Sequence, residues 1–379
     1  MTVRMGARGV ATMSARLRGV PIVVASPEGT TVDDATTMER AIRSAATVRG
    51  STSPNPWVGA VVTAVDGSMF DGATSPPGGP HAEIIALTAA GERAAGGTLT
   101  VTLEPCVHHG RTLPCTGAIV AAGIGRVVVA IEDPDPRVAG RGIAALRAAG
   151  LDVSVGTRSG DVREQLTAYL THRRTGRPFV VLKLAATLDG RIAAQDGTSR
   201  WITGPEARTD SHRLRAESDA VVVGAGTVRA DDPALTVRHV DGRDPLRVVV
   251  GRAPAGARVR PCIEHEGDLG ELLDELGRRG ILQVLVEGGA TVASAFHRAR
   301  LVDRYVLYLA PALSGGEDGS PMFRGPGCTT LASMWRGRFR SVTPVGDDLR
   351  IELDAGSATA DPKEACSASV TSATDEGQP

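Results

Sequence analysis

The sequence has few cysteines, few aromatic residues and no long hydrophobic run. Five cysteines in 379 residues form an odd, sparse set, which excludes a disulfide framework and favours a reducing, cytoplasmic setting. Because aromatic residues make up only 3% of the chain, we expect the cores to be packed with Val, Leu, Ile and Ala. No apolar stretch is long enough to span a membrane, and we therefore expect no membrane partner.

The sequence also lacks an excess of charge of either sign. The formal net charge is −1 at pH 7, so there is no overall basic field to hold a nucleic acid backbone. A small anionic substrate is compatible with this balance, because a few local arginines can bind one phosphate. We therefore expect a small-molecule partner and no nucleic acid.

Length and composition indicate two globular domains. With 42% hydrophobic and 22% charged residues, each half of the chain can bury a core of its own. Strand and helix patterns alternate in two series, which is typical of α/β domains, and the TGRP segment at 175–178 separates them. We predict a flexible extension at 1–32, a first domain at 33–174, a second at 175–354 and a disordered tail at 355–379.

The spacing of apolar residues predicts the individual elements of both series. In the first series, helices are expected at 38–48, 82–95, 117–122, 140–149 and 161–174, and strands at 58–65, 98–103 and 126–131. In the second series, strands are expected at 179–186, 220–223, 246–250, 283–286 and 304–310, and helices at 205–216, 269–279 and 291–299.

One histidine and two cysteines of the first domain are candidate metal ligands. His81 opens a predicted helix, Cys106 follows a predicted strand, and Cys115 lies nine residues later at another helix start. One imidazole and two thiolates give zinc three ligands and leave the fourth position for water. Glu83, two residues from His81, can approach that water without binding the metal, which is the pattern of the zinc deaminases.

Each of these residues has an ordinary structural interpretation when taken alone. His81 would be a surface residue at a helix start, and the two cysteines would be small buried hydrophobic residues. A purely structural zinc would need a fourth ligand, which His108 or His109 would have to supply. The occurrence of the whole set at strand and helix ends favours a catalytic zinc.

The motifs around these ligands resemble those of the bifunctional riboflavin-biosynthesis deaminase/reductase family. The matching segments are 52–59, 80–83, 102–106, 108–115 and 133–142, and the resemblance extends over about 33–353. It implies a cytidine-deaminase-like, three-layer first domain that deaminates a diaminopyrimidinone carrying a ribosylamino 5-phosphate. By resemblance, Asn55 holds the pyrimidine or ribose, and His108 and Arg111 lie near the sugar phosphate. From the residues alone, Asn55 is equally a turn residue before proline, and His108 and Arg111 are loop residues.

The second domain resembles the reductase half of the same family, whose fold is like that of dihydrofolate reductase. The matching segments are 182–191, 201–204, 224–233 and 286–291. The resemblance implies that NADPH reduces the ribosyl group to ribityl, and that the protein is a homo-oligomer. The implied cofactor contacts are Ala185, Trp201, Thr227, Asp231, Gly288, Gly289, Ala290, Thr291, Val292 and Ala293. The implied substrate contacts are Ser199, Arg215, Leu235, Arg238 and Glu287.

The second domain departs from the family after the strand predicted at 246–250. Gly251-Arg252 stands where the family has Asp-Ser, and the segment from 252 to 269 is short, as though a strand or two were trimmed. Arg252 is a candidate contact for the extra phosphate of NADPH, or else the site is weakened. Besides the bifunctional enzyme, a deaminase with a degenerate reductase domain therefore stays open. A polynucleotide deaminase is disfavoured by the neutral charge, and a non-catalytic zinc module does not account for Glu83.

Overall fold

The computed structural model describes residues 33–107 and 114–355. The extension predicted at 1–32 lies outside the described residues, and so do residues 356–379 of the predicted tail. None of the helices in the described part of the chain is long and apolar enough to cross a membrane.

The first domain is a mixed five-stranded sheet with helices on both faces. Its helices are α1 (Asp34–Ala46), α2 (Ala82–Ala90), α3 (Cys115–Ala121), α4 (Arg141–Ala148), α5 (Ser159–Gln165) and α6 (Thr167–Thr175). Its strands are β1 (Gly59–Thr63), β2 (Met69–Ala73), β3 (Thr98–Leu103), β4 (Arg126–Ile131) and β5 (Asp152–Val155). The strand order is β2-β1-β3-β4-β5. The first two pairings are antiparallel and the last two are parallel.

Two glycines allow helices to pack closely on opposite faces of this sheet. A Cβ at Gly59 would collide with the carbonyl of Ala41 in α1, and one at Gly72 would collide with that of Ala82 in α2. Gly72 pairs with Ala60 and so shares its face, whereas adjacent residues in a strand face opposite ways. Helices α1 and α2 therefore lie on opposite faces, which confirms the predicted three-layer domain.

The second domain is built on an eight-stranded sheet. Its helices are α7 (Pro205–Ala216), α8 (Ala225–Asp231), α9 (Leu269–Arg278) and α10 (Ala290–Arg298). Its strands are β6 (Phe179–Thr187), β7 (Arg191–Ala193), β8 (Ala220–Gly224), β9 (Leu246–Val250), β10 (Ile263–His265), β11 (Gln283–Val286), β12 (Arg304–Ala310), β13 (Ser320–Pro321), β14 (Gly337–Val345) and β15 (Asp348–Ala355). The order is β10-β9-β8-β11-β6-β12-β15-β14, and β13 pairs separately with β7. The strands from β10 to β12 are parallel, and β15 and β14 close the sheet as an antiparallel hairpin.

Several local predictions differ from the structure. The single helix predicted at 161–174 is two helices, because Leu166 leaves the helical conformation at φ −95° and ψ 15°. The helix predicted at 82–95 ends at Ala90, since Gly91 takes a φ of 56°. The segment that follows Arg252 still contains a strand, β10, which extends the parallel sheet beside β9. The apolar patterns also did not predict β2, β5, β7, β13, the β14–β15 hairpin or helix α8.

The two domains share apolar contacts and ion pairs. Trp57 and Leu170 belong to the same buried cluster as Phe179. Glu164 of α5 lies 3.1 Å from Arg304 and 2.6 Å from Arg340 of the second sheet. The chain passes between the domains through the end of α6, so the boundary at 174/175 falls at the last turn of a helix and stays a prediction.

Candidate active sites

The three candidate zinc ligands converge at one edge of the first sheet. His81 is the N-cap of α2, Cys106 follows β3, and Cys115 is the first residue of α3. His81 Nδ1 lies 3.2 Å from Cys115 Sγ and 3.6 Å from Cys106 Sγ. All three donor atoms lie within 4.8 Å of one another. Within 33–107 and 114–355, this is the one group of three or more His, Cys, Asp or Glu residues so arranged.

The chemistry of these donors fits zinc. The hydrogen bond between the two cysteines lowers the pKa of Cys106 and raises that of Cys115, so Cys106 is the thiolate of the pair, and the thiolate is the form that binds a metal. The hydrogen bond with Cys106 raises the pKa of His81. One nitrogen and two sulfurs are a catalytic donor set, because tetrahedral zinc then keeps one position for water.

Glu83 lies beside this cluster and has almost no contact with solvent. It is in the first turn of α2 and is 4% exposed. Burial raises the pKa of its carboxyl, and the nearby His81 partly opposes the effect. A carboxyl whose pKa is raised in a cleft can both accept and donate a proton near neutral pH.

Glu104 holds the cysteine loop against α4. Its carboxylate accepts hydrogen bonds from the backbone amides of Gly140 (2.9 Å), Gly142 (2.7 Å), Ile143 (3.1 Å) and Asp133 (3.1 Å). A carboxylate at a helix N-terminus is stabilised by these free amides and by the helix dipole. Glu104 therefore fixes the loop that carries Cys106.

A cavity of about 130 Å³ lies over the zinc donors, and Asn55, His81, Glu83 and Cys106 are among its lining residues. Asn55 also belongs to a turn, in which its amide donates to the carbonyl of Thr52 at 2.9 Å. Both interpretations of Asn55 from the sequence are therefore compatible with its position. His108 and Arg111, which were predicted near the sugar phosphate, lie outside the described residues, as does His109.

Further polar residues, to which the sequence patterns assigned no individual role, also line this cavity. Asp133 and Asp135 follow β4, and Tyr169 and Arg173 belong to α6. The Tyr169 hydroxyl donates to the Asp133 carboxylate, 3.0 Å from Oδ1 and 3.1 Å from Oδ2. Burial raises the pKa of Asp133, whereas hydrogen bonds from Arg137 lower that of Asp135 to about 2. The two aspartates were within reach of sequence reasoning, because β3 and β4 are parallel neighbours whose ends meet at one edge.

The second domain contains two adjoining cavities, of about 650 Å³ and about 250 Å³, that share Ser199, Thr227 and Asp231 in their walls. The larger is lined by backbone at Gly226 and Gly289, and a Cβ added at Gly226 would meet nothing within 4 Å. Its size is that of a cofactor site. Helix α10 begins at its wall with Gly289 as N-cap, an arrangement that suits a phosphate. The residues present therefore fit a dinucleotide.

Most of the predicted cofactor contacts line one or both cavities. Those that do are Ala185, Trp201, Thr227, Asp231, Gly288, Gly289, Ala290, Thr291 and Val292. The Gly289 amide donates to Thr227 Oγ1 at 3.3 Å, which joins two of the predicted segments. Ala293 is fully buried and lines neither cavity. Arg252 does not line either cavity: its side chain is 77% exposed and pairs with Glu266 at 3.0 Å.

The predicted substrate contacts fall into two groups. Ser199 and Glu287 line the smaller cavity together with Lys183, which sequence analysis did not single out. Arg215 binds Glu287 through two contacts of 3.0 and 2.9 Å. Burial lowers the pKa of Lys183. Burial alone would raise the pKa of Glu287, but the charges of Arg215 and Lys183 hold it below its usual value.

Leu235 and Arg238, the other predicted substrate contacts, lie on the loop between α8 and β9 and line neither cavity. Their loop is nevertheless joined to the cavity wall, because Arg215 donates from Nη1 to the carbonyl of Thr236 at 2.6 Å. The structure thus connects this loop with Glu287 through a single arginine.

Comparisons with known proteins match both domains. The family described as "Cytidine and deoxycytidylate deaminase zinc-binding region" matches residues 31–131, and that described as "RibD C-terminal domain" matches residues 178–351. The riboflavin biosynthesis protein RibD of Escherichia coli is 39% identical over 359 residues, covering 83% of this chain and 98% of the relative. RibD of Mycobacterium tuberculosis is 45% identical over 341 residues, covering 86% and 97%.

Solved structures of similar proteins cover the same part of the chain. Acinetobacter baumannii RibD (form 1) superposes with a TM-score of 0.80 at 38% identity, covering 85% of this chain and 99% of that one. A diaminohydroxyphosphoribosylaminopyrimidine deaminase/5-amino-6-(5-phosphoribosylamino)uracil reductase from Thermotoga maritima superposes with a TM-score of 0.78 at 35% identity, with coverage of 85% and 99%.

Proposed function

The chain belongs to the RibD family, as a bifunctional zinc-dependent deaminase and NADPH-dependent reductase of riboflavin biosynthesis, and we propose which residues carry out its two reactions. The family membership confirms the resemblance drawn from the motifs. The second domain also contains a cavity of the size of a cofactor site, which favours the bifunctional enzyme over the alternative of a deaminase with a degenerate reductase domain.

For the deamination, His81, Cys106 and Cys115 would hold the zinc, and bound zinc would lower the pKa of a coordinated water toward neutrality. Glu83 removes a proton from the attacking water and delivers it to the departing amino group. Asn55 and Asp133 orient the pyrimidine and ribose in the cavity above. This assignment rests on one observation: the buried carboxyl of Glu83, whose pKa is raised, lies next to three zinc donors that leave the fourth coordination position for water.

A Glu83→Gln variant tests this assignment. It keeps the size of the side chain and the zinc donors, but it cannot shuttle protons. Zinc content should equal that of the parent, and ammonia release should fall by at least ~10²–10⁴-fold, the usual contribution of a general acid or base. Ammonia release close to the parent rate would show that another group transfers the protons.

For the reduction, the glycine-lined cavity would hold NADPH, and bound NADPH supplies a hydride for the opened ribose. Ser199, Arg215, Arg238, Leu235 and Glu287 bind the deaminated substrate and its phosphate. A hydride alone does not complete the reduction, because the oxygen that becomes a hydroxyl also needs a proton. We assign that proton to Lys183, whose lowered pKa suits proton donation and which lines the same small cavity as Glu287.

The preference for NADPH over NADH needs a cationic partner for the extra phosphate. The sequence suggested Arg252 for this role, but its side chain is exposed and pairs with Glu266, which does not support a contact with the phosphate. Arg229 and Arg324 both line the larger cavity. Titration of NADPH and NADH against Arg252→Ser, Arg229→Met and Arg324→Met separates the three candidates. The residue that selects the cofactor is the one whose loss weakens NADPH binding and leaves NADH binding unchanged.

We further propose a homo-oligomer and a cytoplasmic location. Strand β14 is the outermost strand of its sheet, and its Phe339 and Val342 are 68% and 53% exposed. A long edge strand that exposes apolar side chains can pair with another chain. Sedimentation of the parent and of Phe339→Asp tests the oligomer, since the variant should be the smaller species. Sparse cysteines support the reducing compartment, which cell fractionation tests.

A further inference from the structure

The backbone of the loop at 235–239 adopts conformations that need support from outside the loop. Leu235 and His239 take φ values of 54° and 68°, in the left-handed region that side-chain-bearing residues seldom occupy. Such conformations persist only where surrounding contacts enforce them. The loop carries Leu235 and Arg238, both assigned above to the reductase substrate, so the contacts that enforce it bear on function.

Three hydrogen bonds from outside the loop fix three successive residues. Asp244 accepts from the amide of Val237 at 2.7 Å, and Arg215 donates to the carbonyl of Thr236 at 2.6 Å. His212 Nδ1 accepts from the amide of Arg238 at 2.9 Å. Arg215 and His212 both belong to α7, so this helix controls the loop.

His212 is well placed to act as a fixed acceptor. It is 7% exposed, and its ring meets that of His239 edge-on with centroids 5.0 Å apart. Arg215 of the same helix pairs with Glu287, the carboxylate that we assign to substrate binding. Helix α7 thus fixes the position of both the loop at 235–239 and the Glu287 carboxylate.

We propose that His212 is a positioning residue of the reductase: by accepting the Arg238 amide hydrogen, it holds the loop at 235–239 in the conformation that presents Arg238 to the substrate, while Leu235 anchors the loop in the apolar core. This inference rests on the substrate role proposed above for that loop. His212 itself does not touch the substrate, and its effect passes through the backbone of Arg238.

The surroundings of His212 keep its imidazole neutral, so that Nδ1 can accept a hydrogen bond. A protonated imidazole has two donors and no acceptor, so protonation would break the bond to the amide. Besides burial, the charges of Arg215, Arg238 and His239 disfavour protonation, and Glu287 alone favours it, so that the pKa of His212 is lowered to about 4. The bond is therefore intact throughout the range in which the enzyme would be assayed.

The cofactor should be insensitive to this contact. The larger cavity is lined by residues of α8 and by the start of α10, and by none of residues 235–239. Loss of the His212 bond should therefore weaken binding of the substrate and leave that of NADPH unchanged. Substitution of a residue that merely supported the fold would weaken the binding of both the substrate and NADPH.

The experiment compares His212→Leu, which has no acceptor, with His212→Gln, whose amide oxygen can replace Nδ1. The deaminated substrate is first prepared with the parent chain in the absence of NADPH and is then purified. Reduction is followed by NADPH absorbance. His265→Leu is the matched control, because His265 lies on β10 and lines neither reductase cavity.

For His212→Leu we expect KM for the deaminated substrate to rise about fivefold to tenfold, as for loss of one hydrogen bond. KM for NADPH, kcat and ammonia release should stay within twofold of the parent. His212→Gln should restore most of the lost affinity, and His265→Leu should behave as the parent.

An unchanged substrate KM in His212→Leu, or equal rises in both KM values, would overturn the proposal. If His212→Leu fails to fold, His212→Gln decides: it must retain the parent KM for substrate. Arg238→Met is measured separately as a test of the proposed function. If its substrate KM is unchanged while that of His212→Leu rises, the loop acts on the substrate through its backbone and only the role of the Arg238 side chain is refuted.

Discussion

Removing the Tyr169 hydroxyl should impair deamination and leave reduction intact. Tyr169 belongs to α6, the last helix before the second domain, and is 3% exposed. Its hydroxyl lies 3.0 and 3.1 Å from the two oxygens of Asp133, which lines the zinc cavity. In Tyr169→Phe the ring still fills its place, so the perturbation is confined to this hydrogen bond.

The size of the effect follows from the burial of Asp133. A hydrogen bond to a charged group contributes about 1.5–3 kcal/mol, and Asp133 is 6% exposed, so water does not readily replace the lost donor. The carboxylate keeps one donor, the amide of Asp135 at 2.9 Å, which favours the lower end of the range. We therefore expect kcat/KM for deamination to fall roughly tenfold.

Ammonia release and NADPH oxidation are measured on the same preparations, the second with purified deaminated substrate. Tyr305→Phe is the matched control, because Tyr305 is equally buried and its hydroxyl lies 2.7 Å from His297 Nδ1 in the second domain, outside the zinc cavity. Tyr169→Phe with unchanged deamination would refute the role of this bond. A tenfold loss of deamination in Tyr305→Phe would show that any buried tyrosine hydroxyl matters equally.

Three further predictions concern the reductase, the pH dependence of stability and the domain boundary. Lys183→Met should lower NADPH oxidation by ~10²-fold or more with ammonia release unchanged, and equal reduction rates would exclude Lys183 as proton donor. Burial raises the pKa of Asp303 from 3.8 to about 6, so the unfolded chain loses this proton first as pH rises. The stability of the parent relative to Asp303→Asn should therefore fall between pH 4 and 6 and then level off, as denaturant unfolding would show; a constant difference would contradict the shift. A chain ending at Arg177 should still bind zinc and release ammonia, but with a lower Tm, because Trp57 would lose its packing against the second domain; an insoluble or inert product would place the boundary elsewhere.

The parts of the fold that the sequence predicts well are those buried on both sides. Strands β3 and β4 have the bounds expected from their apolar runs. The hairpin of β14 and β15 was missed because β14 is exposed along nearly its whole length, so that no alternation of apolar and polar residues marks it. The break at Leu166 has no Gly or Pro to signal it.

The candidate sites show the same division between local and long-range information. His81, Glu83 and Cys106 stand in short motifs at the ends of adjacent elements, so their convergence follows from the order of strands and helices. Tyr169 reaches its cavity from an element distant in sequence and carries no local pattern. Arg252 was singled out by its position after β9, but the direction of a side chain at a sheet edge depends on neighbours such as Glu266, which the strand pattern does not contain.

The most direct test of two separate active sites on one chain is a complementation measurement. Glu83→Gln and Lys183→Met chains are incubated with the undeaminated substrate and NADPH, first separately and then mixed, and ammonia and NADPH are followed together. Glu83→Gln alone should do neither reaction, Lys183→Met alone should release ammonia without oxidising NADPH, and the mixture should do both. NADPH oxidation by Glu83→Gln alone, or a mixture that releases ammonia and leaves NADPH unoxidised, would contradict the account.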